Sequence, residues 1–223
     1  MTEALEVPVA VLNDAHAAAL GEWALAGPGR RRPRQGPRGQ PRGRWLVVTL
    51  GTGVGGSLIG PDGAVEQGRT GRGGQFGHTL FRYDGRPCPC GRRGCVEAYV
   101  SGSAVAQRAS ERLGRPFADF AAVVRAAEDH PDAPDGAAAF LRRVGAEIGH
   151  AVTGWDMVFE CDRYVFTGGM MAGARWFWPA TLETVEGLGR VRPGRVRMSR
   201  FGDRATLWGA RTYWLHRYGR GGT

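Results

Sequence analysis

The apolar positions of this chain change period several times, and each change marks an element. Residues 7–12, VPVAVL, are an apolar run of buried-strand type. Asn13-Asp14 follows, then AHAAALGEWAL, a helix-forming stretch behind a capping pair. Residues 45–60, WLVVTLGTGVGGSLIG, predict strand, glycine-rich turn, strand. Residues 104–113 and 117–128 predict two helices parted by Gly114-Arg115-Pro116. Over 137–158, Phe140, Leu141, Val144, Ile148, Val152 and Trp155 recur at helical spacing and predict a long core helix. Tyr164-Val165-Phe166 predicts a short buried strand, and Thr167-Gly168-Gly169-Met170 follows it. Residues 195–201 are an expected edge strand, and 205–218 an expected amphipathic closing helix.

The remaining stretches are turns. Residues 68–77 are dense in glycine. Residues 27–44, GPGRRRPRQGPRGQPRGR, have no period and are expected to form a linker or surface loop. That segment decides how the charge is read. The net charge is +9, but Arg30, Arg31, Arg32, Arg34, Arg38, Arg42 and Arg44 lie in this one stretch, and subtracting these seven leaves +2 for everything else. The Arg-rich stretch is the single hint of nucleic-acid binding, and a solvated loop is the preferred reading. All 30 basic residues are Arg, so a Walker A loop, which needs a Lys on the phosphates, is excluded. No apolar run is long enough to span a bilayer and no secretion signal is seen, so the cytoplasm is the expected location.

Candidate chemistry is densest in residues 75–97, QFGHTLFRYDGRPCPCGRRGCVE. Three of the four cysteines, Cys88, Cys90 and Cys95, fall here with His78. Thiolate and imidazole are the ligands zinc prefers, and four close a tetrahedral structural site with no open position for water. The alternatives are buried small hydrophobes or a disulfide, but a C-x-C disulfide is strained and would leave one thiol unpaired. Cys161 lies away from the cluster and is expected to be structural. Asp14 falls between a strand and a helix, where α/β folds place chemistry, although the residues alone favour a plain N-cap. The 51–56 turn, GTGVGG, can cradle phosphate through its N–H groups or simply be a tight hairpin.

GHTL followed by CPCGRRGCVEAYVSG resembles the zinc signature of the ROK family (repressors, open reading frames and sugar kinases), and LNDAHAAALGE and LGTGVGG are similar to further family motifs. The resemblance is closest to bacterial N-acetylmannosamine kinases and glucokinases. It implies an α/β fold, the C-terminal part of an actin/hexokinase-like ATPase with a zinc-stapled sugar lobe. On this reading residues 1–26 are the remnant of a small N-terminal lobe and 45–223 the C-terminal lobe. It implies Asp14 as the base that accepts a sugar hydroxyl proton, and Asn13, His78 and Glu97 as sugar contacts. Gly51, Thr52 and Gly53 would lie by the ATP phosphates and Gly168 and Gly169 near the adenosine, with Mg²⁺ as companion ion. His78, Cys88, Cys90 and Cys95 would hold structural Zn²⁺. The family motif has Glu where Gln75 stands, so Gln75 is a sugar contact without the charge. Family kinases are commonly dimers or tetramers, so a homodimer is the expected assembly.

ROK kinases open with a D-x-G-G-T phosphate loop inside an N-terminal portion of about a hundred residues. Nothing in this chain matches it. The expected function is ATP-dependent phosphorylation of a hexose or N-acetylhexosamine. The alternative is a truncated, catalytically inactive protein that binds sugar or acts in regulation.

Overall fold

The computed structural model describes residues 8–25, 43–71 and 73–219. Residues 1–7 and most of the Arg-rich 27–44 stretch lie outside the described residues.

The centre of the fold is β1 (Trp45–Leu50), whose residues are almost all buried. Strands covered on both faces read as continuous apolar runs, which is the WLVVTL pattern. β1 turns through Gly51–Gly53 into the antiparallel β2 (Val54–Ile59), with Leu50 opposite Val54. On its other side β1 pairs in parallel with β3 (Arg163–Thr167), and β3 with the three-residue edge strand β4 (Val196–Met198). The order is β2-β1-β3-β4. The edge strand expected at 195–201 forms over Val196–Met198 only, in the first half of that range.

Side chains alternate across the sheet, and each face has its own cover. Trp45, Val47, Ile59 and Val165 meet Ala19 of helix α1 (Asp14–Leu25). Leu46, Val48, Leu50, Leu58, Tyr164 and Phe166 belong to the larger core on the other face. Its helices are the short α2 (Glu97–Val100), α3 (Gly102–Leu113), α4 (Phe120–Asp129), α5 (Ala137–Phe159) and α6 (Trp178–Gly187). All six periodic residues expected on α5 are buried, none more than 4% exposed. α4 starts three residues later than its apolar pattern, because Asp119 caps it by accepting from the Ala122 N–H at 2.7 Å.

α7 (Asp203–Tyr218) lies on the outside of α1. The crossing needs glycine on both helices. A Cβ at Gly21 would meet the Ala205 carbonyl oxygen at 1.6 Å, and one at Gly209 the Ala17 oxygen at 1.7 Å. α7 is less amphipathic than its sequence promises, since Leu207, Trp208, Trp214 and Leu215 are exposed. Over its described residues, 8–12, the strand expected at 7–12 is not formed: residues 8–13 run without regular structure and Val11 is exposed. Among the described residues they have no neighbouring strand to pair with. They are held instead by α7, where the Trp214 Nε1–H and the Tyr218 hydroxyl donate to the carbonyls of Pro8 and Val9. Among the described residues no helix is long and apolar enough to cross a membrane.

Candidate functional site

The C-terminal ends of β1 and β3 open onto a cleft of about 390 Å³. Ligands of open α/β sheets bind at such strand ends. Asp14, Gly51, Thr52, Gly53, Gln75, His78, Glu97 and Gly168 all line it. Residues scattered over the chain thus converge on one space. A larger groove of about 630 Å³ passes Pro131, Arg142 and Glu183, but it gathers none of the residues singled out by chemistry.

Asp14 is the first residue of α1 and is exposed, with Oδ1 accepting from its neighbour Ala15 N–H at 2.8 Å. Asn13 is not among the lining residues. Its Oδ1 caps α1, accepting from the N–H groups of Ala15 and His16 at 3.0 and 3.4 Å. The buried His16 reaches the glycine-rich turn, its Nε2 lying 3.3 Å from the Gly73 carbonyl oxygen, and so helps to set the approach to Gln75.

The β1–β2 turn is closed by the Gly51 N–H donating to the Gly53 carbonyl at 3.0 Å. Among the described residues, the N–H groups of Thr52 and Gly53 have no hydrogen-bond partner. Two adjacent uncommitted N–H groups at a cleft wall fit the oxygens of a phosphate chain. Gly168 has φ of +103°, and a Cβ there would meet the Leu50 carbonyl oxygen at 2.4 Å. Only glycine fits that crossing. Gly169 lies outside this cleft. It lines an adjoining recess of about 540 Å³ with Gly51, Thr52, Phe117, Phe120 and Met170.

The cysteine module lies at the other wall. The donor atoms of His78, Cys88, Cys90 and Cys95 are all within 4.8 Å of one another. Nδ1 of His78 is 3.5 Å from the Cys88 sulfur, and the sulfurs of Cys90 and Cys95 are 3.6 Å apart. A tetrahedron with metal–sulfur bonds of about 2.3 Å has edges of roughly 3.8 Å, so the 3.5 and 3.6 Å pairs are already at that spacing, and the widest pairs, within 4.8 Å, would draw in slightly on a metal. None of these cysteines is in a disulfide. Burial pushes the Cys88 thiol up to about 12 and raises Cys95, whereas the Arg92 backbone N–H lowers Cys90 to about 6. The Arg92 guanidinium donates to the His78 carbonyl at 2.9 Å and fixes the residue from behind.

Glu97 joins the two walls. Its Oε2 accepts from the Val54 N–H at 2.8 Å, where the glycine turn enters β2. Its Oε1 stands 3.9 Å from both His78 Nδ1 and the Cys88 sulfur. Glu97 opens α2, and its side chain is only 16% exposed.

Sequence reading missed Thr49, Thr167 and Thr206, which also line the cleft. Thr49 and Thr167 are register partners at the ends of β1 and β3. The signal that could have found the first two is a hydroxyl residue in the last two positions of each apolar strand.

The sequence model of the ROK family matches residues 1–217. The chain belongs to the ROK family. Among its relatives is an N-acetylmannosamine kinase of Haemophilus influenzae, 28% identical over 209 residues, which are 93% of this chain and 63% of that protein. A glucokinase of Halalkalibacterium halodurans is 39% identical over 113 residues, 50% of this chain and 30% of the glucokinase. The chain thus spans less than two thirds of the curated relatives it matches here. Among solved structures, the ROK hexokinase from Thermus thermophilus superposes with a TM-score of 0.80 at 29% identity, covering 97% of this chain and 69% of that one. A ROK family glucokinase from Streptomyces griseus, in complex with glucose and AMPPNP, gives 0.73 at 25% identity, covering 95% and 70%. The α/β fold is that of the ROK sugar kinases.

Proposed function

We propose that this ROK chain transfers a phosphoryl group from MgATP to a hydroxyl of a hexose or N-acetylhexosamine, of the glucose or N-acetylmannosamine type. The observation that carries the reading is the convergence of Asp14, the Gly51–Gly53 turn, Gln75, His78, Glu97 and Gly168 on one cleft. The names of its relatives, glucokinase and N-acetylmannosamine kinase, agree with it.

When bound, ATP supplies the phosphoryl group and Mg²⁺ offsets its charge. The residues of the chain position and polarise. The Thr52 and Gly53 N–H groups receive phosphate oxygens, and the recess by Gly169, Met170, Phe117 and Phe120 takes the adenosine. Asp14 accepts the proton of the attacking hydroxyl. Glu97 and the Nε2 side of His78 orient sugar hydroxyls. Gln75 adds a donor and an acceptor from the exposed turn. With its Oδ1 occupied in capping, Asn13 has its amide N–H₂ for the sugar. His78, Cys88, Cys90 and Cys95 would hold a structural Zn²⁺, which would fix the His78 imidazole and leave its far nitrogen for the substrate. Reduced, metal-bound thiols fit a cytoplasmic setting.

The test is ATP-dependent phosphorylation of glucose, N-acetylmannosamine, N-acetylglucosamine and fructose by the 223-residue chain, beside Asp14→Asn. Turnover on one of these sugars, lost in Asp14→Asn with sugar affinity kept, is expected. Sugar binding that is independent of ATP, with no turnover on any member of the panel, would overturn the kinase reading and leave an inactive sugar-binding protein.

A further inference from the structure

A second polar recess lies on the α1 face of the sheet, away from the cleft. It follows from register. Arg163 is the β3 partner of Trp45 on β1, and Arg197 on β4 is the partner of Val165. Residues paired in this way share a face, so Trp45, Arg163, Val165 and Arg197 line up in one row under α1. Trp45 is buried, and the guanidinium carbons of Arg163 and Arg197 sit 4.7 and 5.1 Å from its ring centre. The last turns of α1 bring Glu22, only 1% exposed, to the same place. Arg200 and Phe201 complete the wall of a space of about 170 Å³.

The charges there do not balance. Among the described residues, none of Arg163, Arg197 and Arg200 makes an ion pair with a carboxylate. They crowd one another instead. Burial first, then Arg163, hold the Arg197 guanidinium below its usual value. Three guanidinium groups face one carboxylate, and that carboxylate is already engaged by the Ser199 hydroxyl at Oε1. The excess of two positive charges is the complement of a dianion. Arginine offers planar donor pairs that match the oxygens of phosphate, and stacking on Trp45 holds two of them in place beforehand.

We propose that the recess between Glu22, Arg163, Arg197 and Arg200 binds a dianionic phosphate group, free or as a monoester. The site is separate from the cleft: Trp45 and Arg163 open their strands, whereas Leu50 and Thr167 at the other ends border the phosphate turn. No residue of the recess lines the cleft.

The test is calorimetric titration of the whole chain with inorganic phosphate and with glycerol 3-phosphate, at constant ionic strength. The variants are Arg163→Gln, Arg200→Gln and Glu22→Gln. Arg163 and Arg200 are exposed, so the first two keep the fold, and Gln at 22 keeps an acceptor for Ser199. Each arginine variant is expected to weaken phosphate binding by about tenfold or more, as loss of a charge-assisted contact does. Glu22→Gln removes the opposing charge and is expected to tighten it. The tighter ligand of the two names the source, ester or free phosphate. Affinity that is equal in the native chain and both arginine variants, or no phosphate binding by the native chain, overturns the proposal.

Discussion

Replacing Glu97 tests how the site is built, because its two oxygens do different work. Oε2 accepts from the Val54 N–H at 2.8 Å, in a side chain only 16% exposed. Glu97→Ala leaves that N–H without its partner, which costs about 1–3 kcal/mol. For a chain of this size each kcal/mol lowers Tm by about 2–4 °C. Glu97→Gln keeps an oxygen for Val54 but loses the charge on the side proposed to meet the sugar. It is expected to melt near the native temperature while sugar phosphorylation falls. Gly53 supplies a coupled variant. A Cβ there would meet Glu97 Oε2 at 2.9 Å and nothing else closer than the Glu97 carboxyl carbon at 3.6 Å. Gly53→Ala therefore displaces the carboxylate when Glu97 is present and displaces nothing in Glu97→Ala. Urea unfolding of the two single variants and the double variant gives the coupling directly. The double variant is expected to be no less stable than Glu97→Ala alone. If instead the two costs add, or if Glu97→Ala and Glu97→Gln melt alike, Glu97 does not hold the glycine turn.

Two further outcomes are expected. Stripping the metal with a strong chelator should release one zinc per chain, read with a chromogenic dye, and lower Tm; no zinc and an unchanged Tm would remove the four-ligand assignment. Glu147→Ala should destabilise the chain by about 3 kcal/mol in urea, the low end for a broken buried pair, since the Arg82 side of the pair is well exposed. Glu147 accepts from Arg108 at 2.7 and 3.0 Å and from Arg82 at 3.0 Å, and a loss below about 0.5 kcal/mol would show the cluster to be a solvated surface pair.

Legibility in the sequence followed the range of the interaction. The gathering of the cysteine cluster was readable because three thiols fall within eight residues, and His78 is only ten residues before Cys88. α5 was readable because its buried face is periodic along its own length. The roles of Thr49 and Thr167 were not, because they become neighbours only through parallel pairing across 118 positions. The Glu97–Val54 bond spans 43 positions and leaves no local mark. Residues 7–12 show the converse: their apolar pattern is that of a strand, but a strand needs a partner, and the described residues provide none. Asn13 carries two readings from its residue type: its oxygen caps α1, as Asn at a helix start predicts, and its amide N–H₂ is left for the proposed sugar contact.

The cysteine module and the Gly51–Gly53 turn are mechanically one unit, and the short run from Cys95 to Gly102 is the reason. Cys95 is a proposed ligand, and Glu97 opens α2 two residues later. Ser101 caps α3 through the Ala104 N–H at 3.2 Å, and the next N–H, that of Gly102, donates to the Gly51 carbonyl at 2.7 Å. Glu97 holds the far side of the same turn through Val54. Both ends of the Gly51–Gly53 turn are therefore tied to residues 97–102, and those residues are tied to the cysteine cluster. A structural metal at His78, Cys88, Cys90 and Cys95 would then act on both substrates' sites at once. It would orient His78 toward the sugar, and through Cys95 it would hold the frame that keeps the Thr52 and Gly53 N–H groups open to phosphate. This also explains why the turn tolerates so much glycine: its shape is imposed by two external hydrogen bonds, so its own residues are free to leave their N–H groups uncovered.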